Sequence, residues 1–543
     1  MSGDRRPRWG SAQRFDRRRF LGMSALAGAS VLAASAAPRP VIPAAPRSAV
    51  VDATGPAVGP HVRTSVGTVR GRMEDDIAVF RGIPFAAAPV GERRFQAPAA
   101  HPGWSGVRDA GEFGPPPPAV SGSVQNIAAN SGAAADEWLT VNVWSPDLRA
   151  RGRPVLVWIY GGAWSGGAAS LPAYDGHRLA ARGAVVVGIN YRVGAEGFLH
   201  MAGAPDNRGL LDQIAGLAWV RDNIAAFGGD PGRVTVFGQS AGAGSIACLL
   251  AMPAASGLFH GAICQSVPLS SQRPELARDI ADVLAARLNR KATAADLGTL
   301  SPTALAAGVW AAARDGAANR ARWGPGVAVT VFHPVVDGDV LPEAPHHALA
   351  RGASRDIPLI VGHTRDEYRV YLAGAVQQVA AVRTDEALRQ LAPVADGVRA
   401  YRAAYPGIAE GQLYEIVHSD FYYRMPSLFL ARAHTRGGGT SYLYEFRDER
   451  TAGGSGHGAE VPLVFGTGRP DPAAAVLGEQ LRDAWISFAA NGSPGWPAYG
   501  PDAEQTRLFD IVSGTGRYPE QASARIWADH PFDPVKAPAQ PIR

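Results

Sequence analysis

A serine between two glycines is the first feature of this sequence that could do chemistry. Gly238-Gln239-Ser240-Ala241-Gly242 fits the pattern G-x-S-x-G and lies between a predicted strand (233–237) and a predicted helix (243–252). Strand, sharp turn and helix are the setting in which such a serine is held strained and exposed above a sheet edge as a nucleophile. A glycine-rich turn with a solvated serine is the alternative, and the flanking elements favour the nucleophile.

The segments around this serine alternate between buried strands and helices. Continuous apolar runs that end at turn residues predict five strands, at 154–160, 184–191, 233–237, 262–264 and 357–361. Apolar residues at helical spacing predict a helix over 210–227, and the Ala- and Arg-rich segments 271–325 and 375–435 predict a helical layer over the sheet. Strands that alternate with helices indicate an α/β fold with a large, mostly parallel sheet.

Composition excludes several classes of protein. Hydrophobic residues make up 46% of the 543 residues, which is enough for a large core, and two cysteines cannot form a disulfide-dense scaffold or a four-cysteine zinc site. Seven arginines and two aspartates within residues 1–36 account for the whole net charge of +5. The remaining chain is neutral and has no global electrostatic reason to bind nucleic acid or anionic lipid.

The first 36 residues are typical of an export signal. Asp16-Arg17-Arg18-Arg19-Phe20-Leu21 resembles the twin-arginine motif, an apolar stretch runs to Ala34, and Ala34-Ser35-Ala36 resembles a cleavage site. The apolar stretch is too short for the ~20 residues that span a bilayer. We therefore expect recognition by the twin-arginine export machinery, cleavage near Ala36 and no stable membrane insertion. A basic disordered tail beside a helix is the alternative.

The rest of the chain is predicted to form one domain. Residues 37–60 are a Pro/Ala-rich lead-in, and no internal repeat or low-complexity linker divides residues 61–543. No HExxH motif or clustered His/Cys spacing is present, and His346-His347 is an isolated pair in a predicted loop. We expect no metal and no cofactor.

Ordered sequence blocks from about Ser65 to Ala528 resemble the type-B carboxylesterase family, which includes para-nitrobenzyl esterases and cholinesterases. Besides the serine motif, the blocks are Phe80–Ala86, Asp136–Trp144, Tyr160–Trp164, Asn190–Gly194, Gly209–Gln213 and Phe227–Pro231. The resemblance implies an α/β-hydrolase fold with helices on both faces of the sheet and helical insertions. It also implies hydrolysis of a small-molecule carboxylic ester by a Ser-Glu-His triad, in that chain order, through an acyl-enzyme.

The resemblance assigns the acid and the base of this triad. Asp366 and Glu367 follow the strand predicted at 357–361, and the family pattern selects Glu367, with Asp366 interpreted as part of a solvated turn. The family usually has glycine after this glutamate, where this chain has Tyr368. Four histidines follow the acid, and only His457 lies in a glycine-flanked loop that matches the family's histidine block; the others, assigned to surface or helix, are His418, His434 and His530.

The resemblance also indicates the oxyanion hole and the state of the cysteines. Gly161-Gly162-Ala163 follows the predicted strand 154–160, so Gly162, Ala163 and Ala241 are the expected N–H donors. Many relatives carry a disulfide whose two positions here are Trp138 and Pro117. Cys248 and Cys264, in apolar helix and strand contexts, are therefore expected to be buried thiols.

Two other functions remain open from the sequence. A catalytically dead esterase-like binding protein would usually lack the serine or the histidine, and both are present here. A lipase acting at lipid surfaces would need an exposed apolar lid. Short-chain and long-chain para-nitrophenyl esters distinguish an esterase from a lipase, and hydrolysis of neither would favour the binding protein.

Overall fold

The computed structural model describes most of the chain after the predicted lead-in. The described ranges are 59–120, 136–269, 271–313, 316–372, 375–448, 450, 454–468, 471–530 and 532–535. The predicted export signal (1–36) and nearly all of the lead-in (37–60) lie outside them.

An eleven-stranded mixed sheet forms the centre of the fold, in the order β14-β13-β12-β11-β10-β9-β7-β8-β6-β4-β3, and a small sheet has the order β1-β2-β5. The six pairings from β8 to β13 are parallel, and the four outer pairings are antiparallel. The strands are β1 His61–Arg63, β2 Thr68–Arg70, β3 Arg72–Glu74, β4 Ile77–Pro84, β5 Val107–Asp109, β6 Thr140–Ser145, β7 Arg153–Ile159, β8 Val185–Ile189, β9 Gly229–Gln239, β10 Gly261–Gln265, β11 Leu359–Thr364, β12 Ser441–Phe446, β13 Gln505–Phe509 and β14 Gly514–Arg517.

Helices cover the sheet and fill the long connections between its strands. Within the described ranges they are α1 His177–Ala180, α2 Gly194–Phe198, α3 Arg208–Asn223, α4 Ala241–Ala251, α5 Pro274–Arg287, α6 Ala294–Leu297, α7 Pro302–Ala313, α8 Gly316–Trp323, α9 Pro345–Ala350, α10 Ala381–Leu391, α11 Gly397–Ala404, α12 Glu410–Ser419, α13 Met425–Arg436, α14 Val461–Phe465, α15 Pro472–Asn491 and α16 Gln521–Ile526. The predicted helical segments 271–325 and 375–435 correspond to α5–α8 and α10–α13, and α13 ends one residue beyond the second segment.

The central strands are buried on both faces. Successive residues Val155, Leu156 and Val157 of β7 have no exposed surface, although their side chains point alternately to opposite sides of the sheet. Helices α4 and α15 both pack against β7 and β9. This is why β7 and its neighbours are continuous apolar runs, and it confirms the predicted mostly parallel α/β sheet.

The five predicted strands are present, with shifted ends. β9 begins at Gly229, four residues before the predicted start, because Gly229 pairs with Arg153 of β7. β11 runs from Leu359 to Thr364, since all six of its residues pair with β12.

The prediction of a loop at His346-His347 is wrong. Both residues lie in α9, which begins at Pro345, and the fixed φ of proline suits the first position of a helix. His346 is buried, and its Nε2 lies 3.0 Å from the carbonyl oxygen of Pro426. A contact with a residue 80 positions away could not be predicted from local sequence.

Candidate active site

Ser240 lies at the sharp turn between β9 and α4. Its φ of 57° and ψ of −127° are strained for a residue with a side chain. The Ser240 N–H donates to the carbonyl oxygen of Gln265 at 2.9 Å, and its own carbonyl accepts from Gly244 at 2.9 Å. The side chain is partly exposed. The predicted strand–turn–helix setting is therefore present.

The two glycines of the motif are needed for space. A Cβ added to Gly238 or Gly242 would clash with the carbonyl oxygen of Ile159, the last residue of β7. Any larger residue would push the turn away from the sheet. The G-x-S-x-G pattern is thus a condition for close packing between β7 and the start of α4.

Glu367 and His457 form a buried hydrogen-bonded pair. Oε2 of Glu367 lies 2.5 Å from Nδ1 of His457, and Oε1 accepts from the N–H of Thr364 at 2.9 Å. The backbone N–H of His457 also donates to the carbonyl of Glu367, at 3.1 Å. Burial acts to raise the pKa of Glu367, but attraction by His457 and hydrogen bonds hold it below its ordinary value. Glu367 is thus an ionised acceptor for the imidazole.

The other ring nitrogen of His457 contacts Gln239. The two Nε2 atoms lie 3.1 Å apart, and no hydrogen bond among the described residues joins Ser240 Oγ to His457. Gln239 precedes Ser240 in the chain, so this contact joins the imidazole to the turn that bears the serine. Gln239 was not predicted as a site residue, although its position inside the G-x-S-x-G motif was an available signal.

Asp366 is buried in the structure, where the sequence predicted a solvated turn. Its side chain is buried, forms ion pairs with Arg365 at 2.9 Å and Arg369 at 3.0 Å, and accepts from the N–H of Ser455 at 3.1 Å. Burial acts to raise the pKa of Asp366, but these arginines hold it below its usual range. The interpretation as a solvated turn is wrong, because this carboxylate anchors the loop that carries His457.

The predicted oxyanion loop follows β7 in a left-handed conformation. Gly162 has a φ of 120° and Ala163 a φ of 55°. In the part of the chain that the structure describes, the N–H groups of Gly162, Ala163 and Ala241 donate to no protein acceptor. Trp164 fixes the loop to α4, because its buried indole donates to Ser245 Oγ at 3.0 Å. Unused N–H groups beside Ser240 are what an oxyanion would need.

Two tyrosines form an aromatic wall beside His457. The Tyr423 ring stacks on the imidazole with centroids 4.0 Å apart, and the Tyr371 centroid lies 6.1 Å away. The two hydroxyls are 2.7 Å apart, and burial raises the pKa of both phenols. Tyr423 lies in a π-helical turn, Asp420–Arg424, between α12 and α13. Such turns are frequent at functional sites, but no signal in the sequence marked this one.

Within the described residues, no hydrogen bond or ring contact joins the other three histidines to Glu367 or His457. His418 and His434 are buried in α12 and α13, where burial lowers the pKa of His418 to about 3, and the partly exposed His530 follows α16. Cys248 in α4 and Cys264 in β10 are buried and form no disulfide within the described residues, which confirms the expected buried thiols.

Comparison with known proteins gives the family. The model of the carboxylesterase family matches residues 58–525. The chain is 36% identical over 475 residues to a para-nitrobenzyl esterase of Bacillus subtilis, covering 83% of this chain and 94% of that protein. A fumonisin B1 esterase of Sphingopyxis macrogoltabida is 32% identical over 491 residues, covering 83% and 87%. The chain belongs to the carboxylesterase family.

Solved structures agree with this membership. A carboxylesterase of Geobacillus stearothermophilus, crystallised at pH 6.2, superposes with a TM-score of 0.76 at 34% identity, covering 86% of this chain and 99% of that one. A para-nitrobenzyl esterase structure gives the same TM-score at 33% identity. The expected α/β-hydrolase fold is confirmed, and this family member is a carboxylic-ester hydrolase.

The described residues contain neither a metal-binding cluster nor a membrane-spanning helix. Within the described ranges, no group of three or more His, Cys, Asp or Glu side chains is placed to hold a metal ion. No helix among the described residues has both the length and the apolar character needed to cross a membrane.

Replacing the stacked tyrosine should slow ester hydrolysis. We expect Tyr423→Leu to lower kcat/KM by about 2- to 13-fold, because aromatic stacking is worth about 0.5–1.5 kcal/mol. Tyr423→Phe keeps the ring and loses only the hydroxyl contact with Tyr371, so it should stay near wild type. Steady-state kinetics on one soluble ester measures both, and equal losses in the two variants would show that the hydroxyl, not the ring, matters.

Proposed function

We propose that this chain hydrolyses carboxylic esters through a Ser240–Glu367–His457 triad and an acyl-enzyme intermediate. The observation that carries the proposal is the buried 2.5 Å contact between Glu367 and His457 beside the turn that bears Ser240. Catalytic hydrogen bonds are often open in free enzymes and tighten with substrate, so the missing Ser240–His457 bond is compatible with this assignment.

The roles follow from the chemistry of an ester. Ser240 Oγ attacks the carbonyl carbon and passes its proton to His457 Nε2. When the carbon–oxygen bond to the alcohol breaks, His457 returns the proton to the leaving oxygen. Water then attacks the acyl-enzyme with His457 again as base. The bond between the acyl carbon and Ser240 Oγ breaks, His457 returns the proton to Ser240 Oγ, and the acid is released. Glu367 keeps the proton on Nδ1 and stabilises the imidazolium without taking that proton.

The negative charge of each tetrahedral intermediate needs N–H donors. Gly162, Ala163 and Ala241 are proposed for this role, because their N–H groups have no protein acceptor in the described residues. Ala241 begins the eleven-residue helix α4, so the helix dipole also favours an anion there. Donors that are held in place before the reaction cost no reorganisation when charge develops.

Several relatives indicate the substrate class. Similar proteins include a para-nitrobenzyl esterase, a fumonisin B1 esterase and a phenmedipham hydrolase. We propose a small-molecule carboxylic ester as the substrate of this chain.

Labelling tests the nucleophile. A serine-directed organophosphonate should add once to the wild-type protein, at Ser240, and not to Ser240→Ala. That variant should lose on the order of 10⁶ in kcat, the cost of removing a triad nucleophile. Peptide mass spectrometry locates the adduct, and Ser487→Ala, which alters a serine of α15 whose hydroxyl donates to the carbonyl of Ser493, is the matched control. An adduct on another serine, or normal turnover by Ser240→Ala, would refute the proposed nucleophile.

Substitutions of the two adjacent carboxylates should have different effects, one on kcat and the other on thermal stability. We expect Glu367→Gln to lower kcat by roughly 10²–10⁴, because the amide no longer holds the imidazole as an ionised acceptor does. Asp366→Asn loses ion pairs with Arg365 and Arg369, so it should mainly lower the thermal unfolding midpoint. The acid assignment is wrong if Asp366→Asn is the variant that loses turnover.

The precursor is further proposed to be exported by the twin-arginine route and cleaved near Ala36. Support comes from the order of Arg17-Arg18, the apolar stretch and Ala34-Ser35-Ala36 in the sequence.

Replacing Arg17 and Arg18 by lysine should leave the precursor in the cytoplasm. Charge is unchanged by this substitution, so only recognition of the motif is altered. Fractionation and immunoblotting measure the distribution, with Arg5→Lys/Arg6→Lys as the control. Normal export of the Arg17/Arg18 variant would contradict the route.

A further inference from the structure

The imidazole of His457 has two hydrogen-bond partners, one on each nitrogen. Glu367 lies 2.5 Å from Nδ1, and the side-chain amide nitrogen of Gln239 lies 3.1 Å from Nε2. An ionised carboxylate can only accept, so Nδ1 carries the proton. In the neutral ring Nε2 is then a bare acceptor, and the amide of Gln239 donates to it.

The side-chain amide of Gln239 lies in a space that exists because two neighbouring residues are glycines. A Cβ on Gly458 would come within 3.3 Å of the amide nitrogen of Gln239, and one on Gly161 within 3.3 Å of its carbonyl oxygen. Gly458 follows His457, and Gly161 begins the predicted oxyanion loop. The amide is thus held between the loop of the base and the loop of the oxyanion donors.

We propose that Gln239 is a positioning residue that stabilises the neutral form of His457 until substrate binding displaces its amide. This inference rests on the proposed function, because it assigns a role to the base of that triad. A donor directed at Nε2 stabilises the unprotonated ring, since a protonated Nε2 would face another N–H group. A protonated ring is accommodated only when the amide turns to present its oxygen.

The other groups that face the imidazole either attract a positive charge on the ring, opposite to the effect of Gln239, or are neutral. The ionised Glu367 attracts a positive charge on the ring, and Glu460 does so when it is ionised, although burial raises the pKa of Glu460 to about 7. The amide of Gln265 donates to Glu460 at 3.1 Å. The rings of Tyr371 and Tyr423 lie on the remaining side. All four facing groups are unchanged in the variants below, so any difference arises at position 239.

The serine must displace this amide during the reaction. Nε2 has one lone pair, which it cannot give fully to both Gln239 and Ser240. Substrate binding would therefore have to move Gln239 from Nε2 before proton transfer. Because the amide is uncharged, this exchange costs less than the separation of an ion pair would.

The test is the pH dependence of kcat/KM in two variants. Gln239→Met keeps an unbranched side chain without a donor. The pH at which kcat/KM falls to half its maximum on the acid side, the midpoint of the acid limb, should rise by about 0.4–1 pH unit, which corresponds to the free energy of one ordinary hydrogen bond. Gln239→Glu places a carboxylate beside Nε2, and the midpoint should rise by about 1–3 pH units. Both variants should recover most of their activity at alkaline pH.

A charge control separates local from general effects. Gln390→Glu makes the same chemical change at the surface, where Gln390 contacts Glu386, and its acid limb should match wild type. If both position-239 variants lose activity equally at every pH while their acid limbs stay at the wild-type midpoint, Gln239 has only a structural role and the inference is overturned. Failure of the proposed function is distinguishable, since wild type would then not be labelled at Ser240.

Discussion

The carbonyl oxygen of Ile159 lies so close to the turn after β9 that neither Gly238 nor Gly242 has room for a Cβ. This steric constraint holds Ser240 in a conformation that costs about 1–3 kcal/mol and persists only where surrounding structure enforces it. The same turn starts α4 at Ala241 and directs Gln239 toward His457. The positions of Ser240, of the Ala241 N–H and of the Gln239 amide thus all depend on the close approach between the parallel strands β7 and β9.

The acid and base come from the same edge of the sheet. Glu367 follows β11, and His457 lies in the connection between β12 and α14, so the parallel pairing of β11 with β12 brings their loops together. Asp366 then fixes the histidine loop through Ser455, while Glu367 engages the ring. Adjacent carboxylates take different tasks because one points to the backbone of the loop and the other to the imidazole.

A buried ion pair supports the aromatic wall. Asp420 accepts from Arg424 at 2.6 Å and from the Tyr401 hydroxyl at 3.0 Å, and all three side chains are buried. Asp420 and Arg424 are the two ends of the π-helical turn, so their pairing fixes the irregular backbone that carries Tyr423. Removing one partner of such a pair typically costs about 3–5 kcal/mol, because the other charge stays buried. The position of the stacked ring therefore depends on charges away from the ring itself.

The sequence by itself determined the α/β class, the five central strands, the turn at Ser240 and, through family resemblance, Glu367 and His457. These features follow from local patterns: apolar runs, glycine spacing and ordered blocks. Only the tertiary structure decided the burial of Asp366, the stacking of Tyr423 and the contact between Gln239 and His457, which lie 218 positions apart. Those features depend on side-chain direction and on which loops meet at the sheet edge, and strand pairing fixes both only when the whole chain has folded.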